Sequence, residues 1–453
     1  MAEILSTTES VCPDCLARIP AARVQYGEDV YLEKECPEHG HFKTIIWRGI
    51  PAFSGWVRPK TPSYPKNPFT EVRQGCPFDC GLCPEHEQQS CCVLLEVTQR
   101  CDLHCPVCFA DAANCPPPDL TYAEIRAWFQ RLLEAGGPFN IQLSGGEPCV
   151  RDDLPEIIRI GRSYGFTFFQ LNTNGLRIAR DLPYLAELKD AGLSTVFLQF
   201  DGTRDEIFRA IRGRELLEKK MAVIENCASL GIGVVLVPTL VPGVNTDNIG
   251  EILKLALSHM PTVRGVNFQP VSYFGRYPEP PTDERRITIP EVIRAIETQT
   301  GGLIPVSTLC PPGGENALCS FHGNYVLMPD GALKPLTRHQ GESCCQPVPA
   351  AEGAARSREF VAEHWSTPAT SLSVISGPSF GEWDVFLERK RTHTFCVSGM
   401  AFQDAWTLDL DRLRDCYIHT ASPDGRLVPF CAYNLTDRQG RSLYRKAYET
   451  HVT

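Results

Sequence analysis

Residues 91–109 read CCVLLEVTQRCDLHCPVCF. The apolar run from Val93 to Val97 has the composition of a strand, and it delivers the chain to Cys101, Cys105 and Cys108. Three thiolates spaced C-x3-C-x2-C can hold three corners of a cubane 4Fe-4S cluster. A cubane needs four ligands, so one iron is left open. An open iron at a strand end suits a small molecule that chelates through an amino and a carboxylate group. For the triplet taken alone, a zinc knuckle or an ordinary ferredoxin cluster is the competing reading.

The chain beyond the triplet favours the open cluster. Short apolar runs at Val93 to Val97, Asn140 to Leu143, Thr167 to Leu171, Thr195 to Phe200, Gly233 to Val237 and Gly265 to Phe268 alternate with amphipathic stretches. Those stretches are Thr121 to Ala135, Leu154 to Tyr164, Leu182 to Ala191, Leu216 to Leu230 and Asn248 to His259. The alternation predicts a parallel α/β sheet, curled or open, whose ligands collect at the carboxyl ends of the strands. Those ends are polar: Ser144-Gly145-Gly146-Glu147-Pro148, then Asn172-Thr173-Asn174-Gly175, Gln199-Phe200-Asp201-Gly202, Pro238-Thr239 and Gln269-Pro270. Paired glycines let backbone groups approach a ligand, and Glu147 adds an acceptor for a cation. Each tetrad alone reads as a turn; recurrence at successive strand ends, in phase with the cysteines, reads as one pocket.

The remaining cysteines form satellites. Cys12-Pro-Asp-Cys15 and Cys36-Pro-Glu-His39 give paired knuckles for a closed tetrahedral Cys3His site, with zinc the default metal, mononuclear iron the runner-up and His41 an alternative fourth ligand. Proline-rich sequence from Pro59 to Pro68 reads as a linker. A second C-x3-C-x2-C at Cys76, Cys80 and Cys83, close to Cys91 and Cys92, reads as a saturated auxiliary cluster with Cys92 preferred as fourth ligand. Cys310, Cys319, Cys416 and Cys431 can together ligate a further 4Fe-4S cluster, with Cys396 in reserve. Cys344-Cys345 is a vicinal pair in a loop, and Cys115, Cys149 and Cys227 read as structural. Tyr277 to Arg285 is a loop or lid candidate, and Ile289 to Thr300 reads as a helix.

Composition sets the outer bounds. The chain has 453 residues, 43% of them hydrophobic, enough for one large domain and one or two small ones. Its 21 cysteines are clustered and no signal region precedes them, a pattern of metal binding in the cytoplasm rather than of disulfides. No apolar run approaches the roughly 20 residues that span a bilayer. A net charge of -10 without a long basic block argues against nucleic acid, although Arg209 to Arg214 forms a local basic patch.

The triplet, SGGEP, LNTNG and LQFDG resemble the radical S-adenosylmethionine (SAM) superfamily, whose members cleave SAM reductively. The resemblance implies that Cys101, Cys105 and Cys108 hold the catalytic cluster and that Glu147 and its glycines meet the amino group of SAM. It places Asn172, Asn174, Gln199 and Asp201 near the ribose and methionine moieties, and puts Val107 where an aromatic residue often packs on adenine. With the CPDC/CPEHG knuckles, GCPFDCGLCPEH, VVLVPTLVPGVN and the closing FQDAWTLDLDRLRDCYIHTASPDGRLVPFCAYN, the chain resembles the multi-cluster group that includes tetraether lipid synthase. Its CC pairs look like those of the bacterial radical SAM (seleno)proteins in that group.

The expected architecture is therefore a partial (β/α)6 barrel at 93–275. A metal module at 1–58 and an auxiliary-cluster segment at 59–92 precede it, and a C-terminal extension at 276–453 carries the second auxiliary cluster. The expected cofactors are three 4Fe-4S clusters, SAM and one mononuclear Fe or Zn. The expected reaction is hydrogen abstraction from an unactivated sp3 carbon followed by carbon–carbon bond formation, with lipid hydrocarbon chains first. Methylation of a small heterocycle such as a pterin, peptide maturation and simple electron carriage are the alternatives. The expected partners are an apolar or small-molecule substrate and a flavodoxin- or ferredoxin-type donor, with peripheral membrane association open.

Overall fold

A computed structural model describes residues 2–112, 116–338, 347–366 and 381–445. Its centre is one twelve-stranded sheet. The parallel strands Cys92–Thr98, Asn140–Gly145, Phe169–Thr173, Thr195–Gln199, Gly233–Val237 and Val263–Pro270 lie side by side in chain order. Five helices, Tyr122–Glu134, Leu154–Ser163, Leu182–Ala191, Leu217–Leu230 and Ile249–Ser258, fall where the amphipathic periodicity predicts them. The strand expected from Thr167 starts two residues later, and a short helix, Asp205–Arg212, runs into the basic patch that the sequence presents from Arg209 to Arg214.

Alternation along each strand divides its side chains between two environments. On the Asn140–Gly145 strand, Ile141 and Leu143 enter the core beneath the helices, together with Val93, Leu95, Phe169, Leu171, Val196, Leu198, Val234, Leu236 and Phe268. Asn140, Gln142 and Ser144 point the other way, into the concave face.

The C-terminal segment is not a separate body. Thr394–Met400 pairs in parallel with Val263–Pro270, and Ile418–Ala421 pairs in parallel with Cys92–Thr98 at the opposite edge. The expected boundary at 275/276 therefore falls within one continuous sheet. Backbone hydrogen bonding decides this: both outer parallel strands offer unpaired N–H and C=O groups, and the later chain covers both. The N-terminal module is a four-stranded antiparallel sheet from Ala2 to Trp47, bound to the C-terminal segment by the Arg23–Asp409 pair and by Lys34, which donates to Ala405 O at 2.7 Å.

The proline-rich linker is packed in as well. Lys60–Thr61 pairs with Val348–Pro349, and Lys60 Nζ donates to Gly314 O at 3.0 Å. The acid-rich loop after Tyr273 is held at both ends: Tyr273 Oη donates to Arg285 O, and Asp283 accepts from Ile45 N. Among the described residues, no helix is long and apolar enough to cross a membrane.

Candidate active site

A cavity of about 570 Å³ fills the concave face of the sheet, within the roughly 300–1,000 Å³ of small-molecule sites. Cys101, Cys105 and Cys108 stand at one end of it, on the loop leaving the first parallel strand. Leu103, Phe208 and Leu216 pack around the three thiols. Cys108 pairs its backbone with Arg276 through two hydrogen bonds of 2.9 Å, and Arg276 Nε donates to Cys105 O, so the loop is rigid. Burial pushes the Cys101 thiol up to about 12. A thiolate there needs a cation at hand, which is what a cationic cluster provides, so the donor set fits a 4Fe-4S group on three cysteines.

Ser144, Gly145, Gly146, Glu147, Asn172, Asn174, Gln199, Thr239 and Gln269 line the same cavity, as does Val107. Glu147 is 2% exposed; it accepts from Thr173 Oγ1 at 2.7 Å, Asn174 N at 2.6 Å and Cys149 N at 3.0 Å. Burial raises its carboxyl, and those hydrogen bonds work against the rise. The glycines have no room for a side chain: a Cβ on Gly146 would stand 2.3 Å from Arg100 O, and one on Gly145, at φ +128, 2.0 Å from Thr98 O. Gly146→Ala is therefore expected to push apart the two strand ends that frame the cavity and to weaken SAM binding at least tenfold by equilibrium dialysis. Unchanged affinity would show that the close approach has no part in the pocket.

Asp201 does not reach the cavity, contrary to expectation. It is fully buried, where its carboxylate takes Arg212 Nε at 2.7 Å and Nη2 at 2.8 Å and also accepts from Thr239 N. Arg212 is the residue that lines the cavity, together with Lys220. The sequence marks Arg212 only as part of the basic run, because nothing local says that a helix will turn it inward.

A layer of carboxamides was not anticipated from the sequence. Asn140 and Gln142, Gln170 and Asn172, and Asn267 and Gln269 occupy i, i+2 positions on three strands and face the cavity with Asn324 and Ser398. Asn172 Nδ2 donates to Gln142 Oε1 at 3.2 Å, Gln170 Nε2 to Asn172 Oδ1 at 2.8 Å and Asn267 Nδ2 to Ser398 Oγ at 2.8 Å. Polar residues at period two inside apolar strands were the available signal.

The satellites sort themselves differently from expectation. Cys12, Cys15, Cys36 and His39 bring four donor atoms within 4.8 Å of one another, as one tetrahedral ion requires. His41 instead lies near Glu33 on the surface. Cys76, Cys80 and Cys83 share a small hollow, but Cys92 is not in it: Cys92 lines the main cavity and accepts from Gln142 Nε2 at 3.3 Å. After burial, the larger cause, Cys431 and Cys319 lie close enough to raise the Cys416 thiol, and Cys319 close enough to raise that of Cys431. Cys310 is away from them, its backbone paired with His322 and its thiol beside Arg58. Cys396 faces the main cavity, Cys149 and Cys227 are buried, and Cys115, Cys344 and Cys345 lie outside the described residues.

The pattern of the Radical SAM superfamily matches residues 95–256, and that of the HMPTM N-terminal zinc ribbon domain matches residues 4–48. A 7,8-dihydro-6-hydroxymethylpterin dimethyltransferase of Methanocaldococcus jannaschii is 36% identical over 476 aligned positions, covering 95% of this chain and 94% of the relative. The chain belongs to the radical SAM superfamily. As a radical SAM enzyme it uses SAM and a 4Fe-4S cluster, with a small-molecule substrate and a reductant. A GTP 3',8-cyclase of Marinobacter nauticus shares 35% identity over 168 residues, which is 36% of this radical SAM chain and 49% of the cyclase. Among solved structures, methylornithine synthase overlaps at a TM-score of 0.35 and 17% identity, covering 48% of this chain and 63% of that one.

Proposed function

We propose that this radical SAM enzyme methylates a reduced pterin, with the SAM-binding cluster on Cys101, Cys105 and Cys108. The observation that carries the reading is the carboxamide layer. Each Asn or Gln side chain offers two donors and an acceptor with two lone pairs, and the bonds among Gln142, Gln170, Asn172, Asn267 and Ser398, with that of Asn140 to Arg358 O, use only part of that capacity. A pterin ring carries donors and acceptors along its edge that could meet the remainder. An alkyl chain would leave buried amides unsatisfied at a cost of about 1–3 kcal/mol each. Phe168, Phe197, Phe321 and Trp365, which also line the cavity, supply flat apolar walls for the ring faces. Lipid coupling, placed first on the sequence, thus gives way to its alternative, in agreement with the activity for which the archaeal relative is named.

When bound, the cluster supplies the electron for reductive SAM cleavage, which opens an unactivated C–H bond to hydrogen abstraction. The chain's own residues position the partners. Gly145 and Gly146 admit the ligand to backbone contact, and Arg212, held by Asp201, presents a fixed positive charge to the cavity. Asn140, Gln142 and Asn267 orient the substrate edge. Cys319, Cys416 and Cys431, and separately Cys76, Cys80 and Cys83, hold the two auxiliary clusters in this reading.

Reconstituted, reduced protein given SAM and a 7,8-dihydropterin is expected to yield 5'-deoxyadenosine and a pterin heavier by one or two CH2 units in mass spectrometry. Methyl-labelled SAM tested against a labelled folate-type donor identifies the carbon source. Unchanged pterin, alongside lipid extracts that lose two hydrogens per new bond, would overturn the reading.

A further inference from the structure

The tetrapeptide Cys-Pro-Glu-His occurs twice in this chain, at 36–39 and at 83–86. In the first copy the Cys36 thiol receives the backbone N–H groups of Glu38 and His39, and His39 Nδ1 lies 3.5 Å from Cys36 Sγ and 3.6 Å from Cys12 Sγ. His39 is thereby the fourth donor of a metal site. In the second copy the Cys83 thiol receives the N–H groups of Glu85 and His86, and His86 N closes the turn on Cys83 O at 3.0 Å. The two knuckles share this backbone turn.

Among the described residues, the hollow of the second knuckle is lined by no fourth cysteine. Its hollow is lined by Cys76, Cys80, Cys83 and His86 together with Leu413 and Arg414, whereas Cys91 and Cys92 belong to the main cavity. His86 is 5% exposed, and its Nε2 lies 2.7 Å from Cys416 O. A carbonyl only accepts, so Nε2 carries the hydrogen and Nδ1 keeps its lone pair. Metal-bound histidines are commonly fixed in this way, the ring nitrogen that does not ligate donating to a backbone carbonyl. Nδ1 is also the nitrogen that His39 turns toward its own cysteines.

We propose that His86, through Nδ1, is the fourth protein ligand of the centre held by Cys76, Cys80 and Cys83, which is then a Cys3His cluster site. The inference rests on the reading of that triplet as a cluster site. It has a second consequence. The His86 ring joins two centres, ligating one through Nδ1 and donating through Nε2 to the carbonyl of Cys416, whose thiol neighbours Cys319 and Cys431. A short covalent and hydrogen-bonded route for electrons between the two auxiliary positions follows. A neutral imidazole in place of a thiolate also makes the cluster less negative and raises its reduction potential.

The test uses the full chain, produced with ¹⁵N-histidine and reconstituted with iron and sulfide, and read by pulsed electron paramagnetic resonance in the reduced state. One strongly coupled histidine nitrogen on a cluster signal is expected. It should vanish in His86→Cys, while the iron and sulfide content stays unchanged and the potential of that cluster falls. A cluster signal of full intensity without nitrogen coupling in the labelled wild-type protein, or a coupling that survives His86→Cys, would overturn the assignment of His86. The labelled wild type decides the matter even where the variant fails to fold. A combined Cys76→Ala, Cys80→Ala, Cys83→Ala variant separates the two readings: it should lose one cluster's iron and sulfide, and full content in that variant would overturn the cluster reading itself.

Discussion

Alanine at Cys101, Cys105 or Cys108 is expected to lower 5'-deoxyadenosine formation by more than 100-fold. Loss of a partner that merely supports a metal ligand typically costs about 10–100-fold, so loss of the ligand itself should cost more. The three thiols occupy one end of the cavity that Gly145, Gly146 and Glu147 also line, and their loop is pinned by the paired backbone of Cys108 and Arg276. Among the described residues, the side chains packed around the three thiols include no further cysteine that could replace one of them. Iron content should fall by one cluster, and SAM should no longer perturb the spectrum of the reduced protein. Cys227→Ala, at a fully buried position on the core-facing side of the Leu217–Leu230 helix and outside the cavity lining, is the control that keeps full SAM cleavage. Full cleavage in any of the three variants would remove the assigned site.

The second large effect concerns stability. Asp404→Ala is expected to destabilise the fold by about 3–5 kcal/mol, the range for stripping one partner from a buried ion pair. Asp404 is fully buried and faces Arg286 with contacts of 2.8 Å and 3.1 Å. It also accepts from the backbone N–H groups of Tyr273, Trp406 and Thr407. The pair joins the chain just after the sixth parallel strand to the C-terminal segment, beside the point where Lys34 ties in the N-terminal module. Denaturant midpoints of the variant and of an Arg286→Met, Asp404→Leu double variant measure it, and the double variant should lose less because no charge is left stranded. A midpoint for Asp404→Ala within about 1 kcal/mol of wild type would contradict this account.

The same carboxylate sets an acid limit. Burial alone would raise Asp404, but the Arg286 guanidinium and the hydrogen bonds outweigh burial and hold it below the usual carboxylate range. A carboxyl depressed in the folded state gives stability that is complete above its unfolded value, about 3.9, and is lost as pH falls through the folded value. The steepest acid-dependent loss is therefore expected below about pH 4, and Asp404→Asn should flatten that limb of a stability profile.

The sequence alone determined whatever is written in local spacing. The C-x3-C-x2-C loop, the knuckle pairs and the alternation of strand and helix follow from residues a few positions apart, whose geometry is set before any distant contact forms. The superfamily, the parallel sheet and most of the cavity rim were legible for that reason. Only the tertiary structure decided which side chains meet across the fold. Cys92, at the entry to the strand, is the fourth thiol the sequence favours, yet that strand turns it toward Gln142, and His86 lines the hollow of Cys76, Cys80 and Cys83. Asp201 looked like a ligand contact at a strand end, but a helix begun a few residues later returns Arg212 onto it. The inward carboxamides were present in the sequence as i, i+2 pairs. Their meaning depended on which face of the sheet closes on the cavity, and in a strand a shift of one residue reverses that choice. Spacing along the chain fixes what a loop can bind, whereas the lining of the main cavity is assembled from strands far apart in the chain.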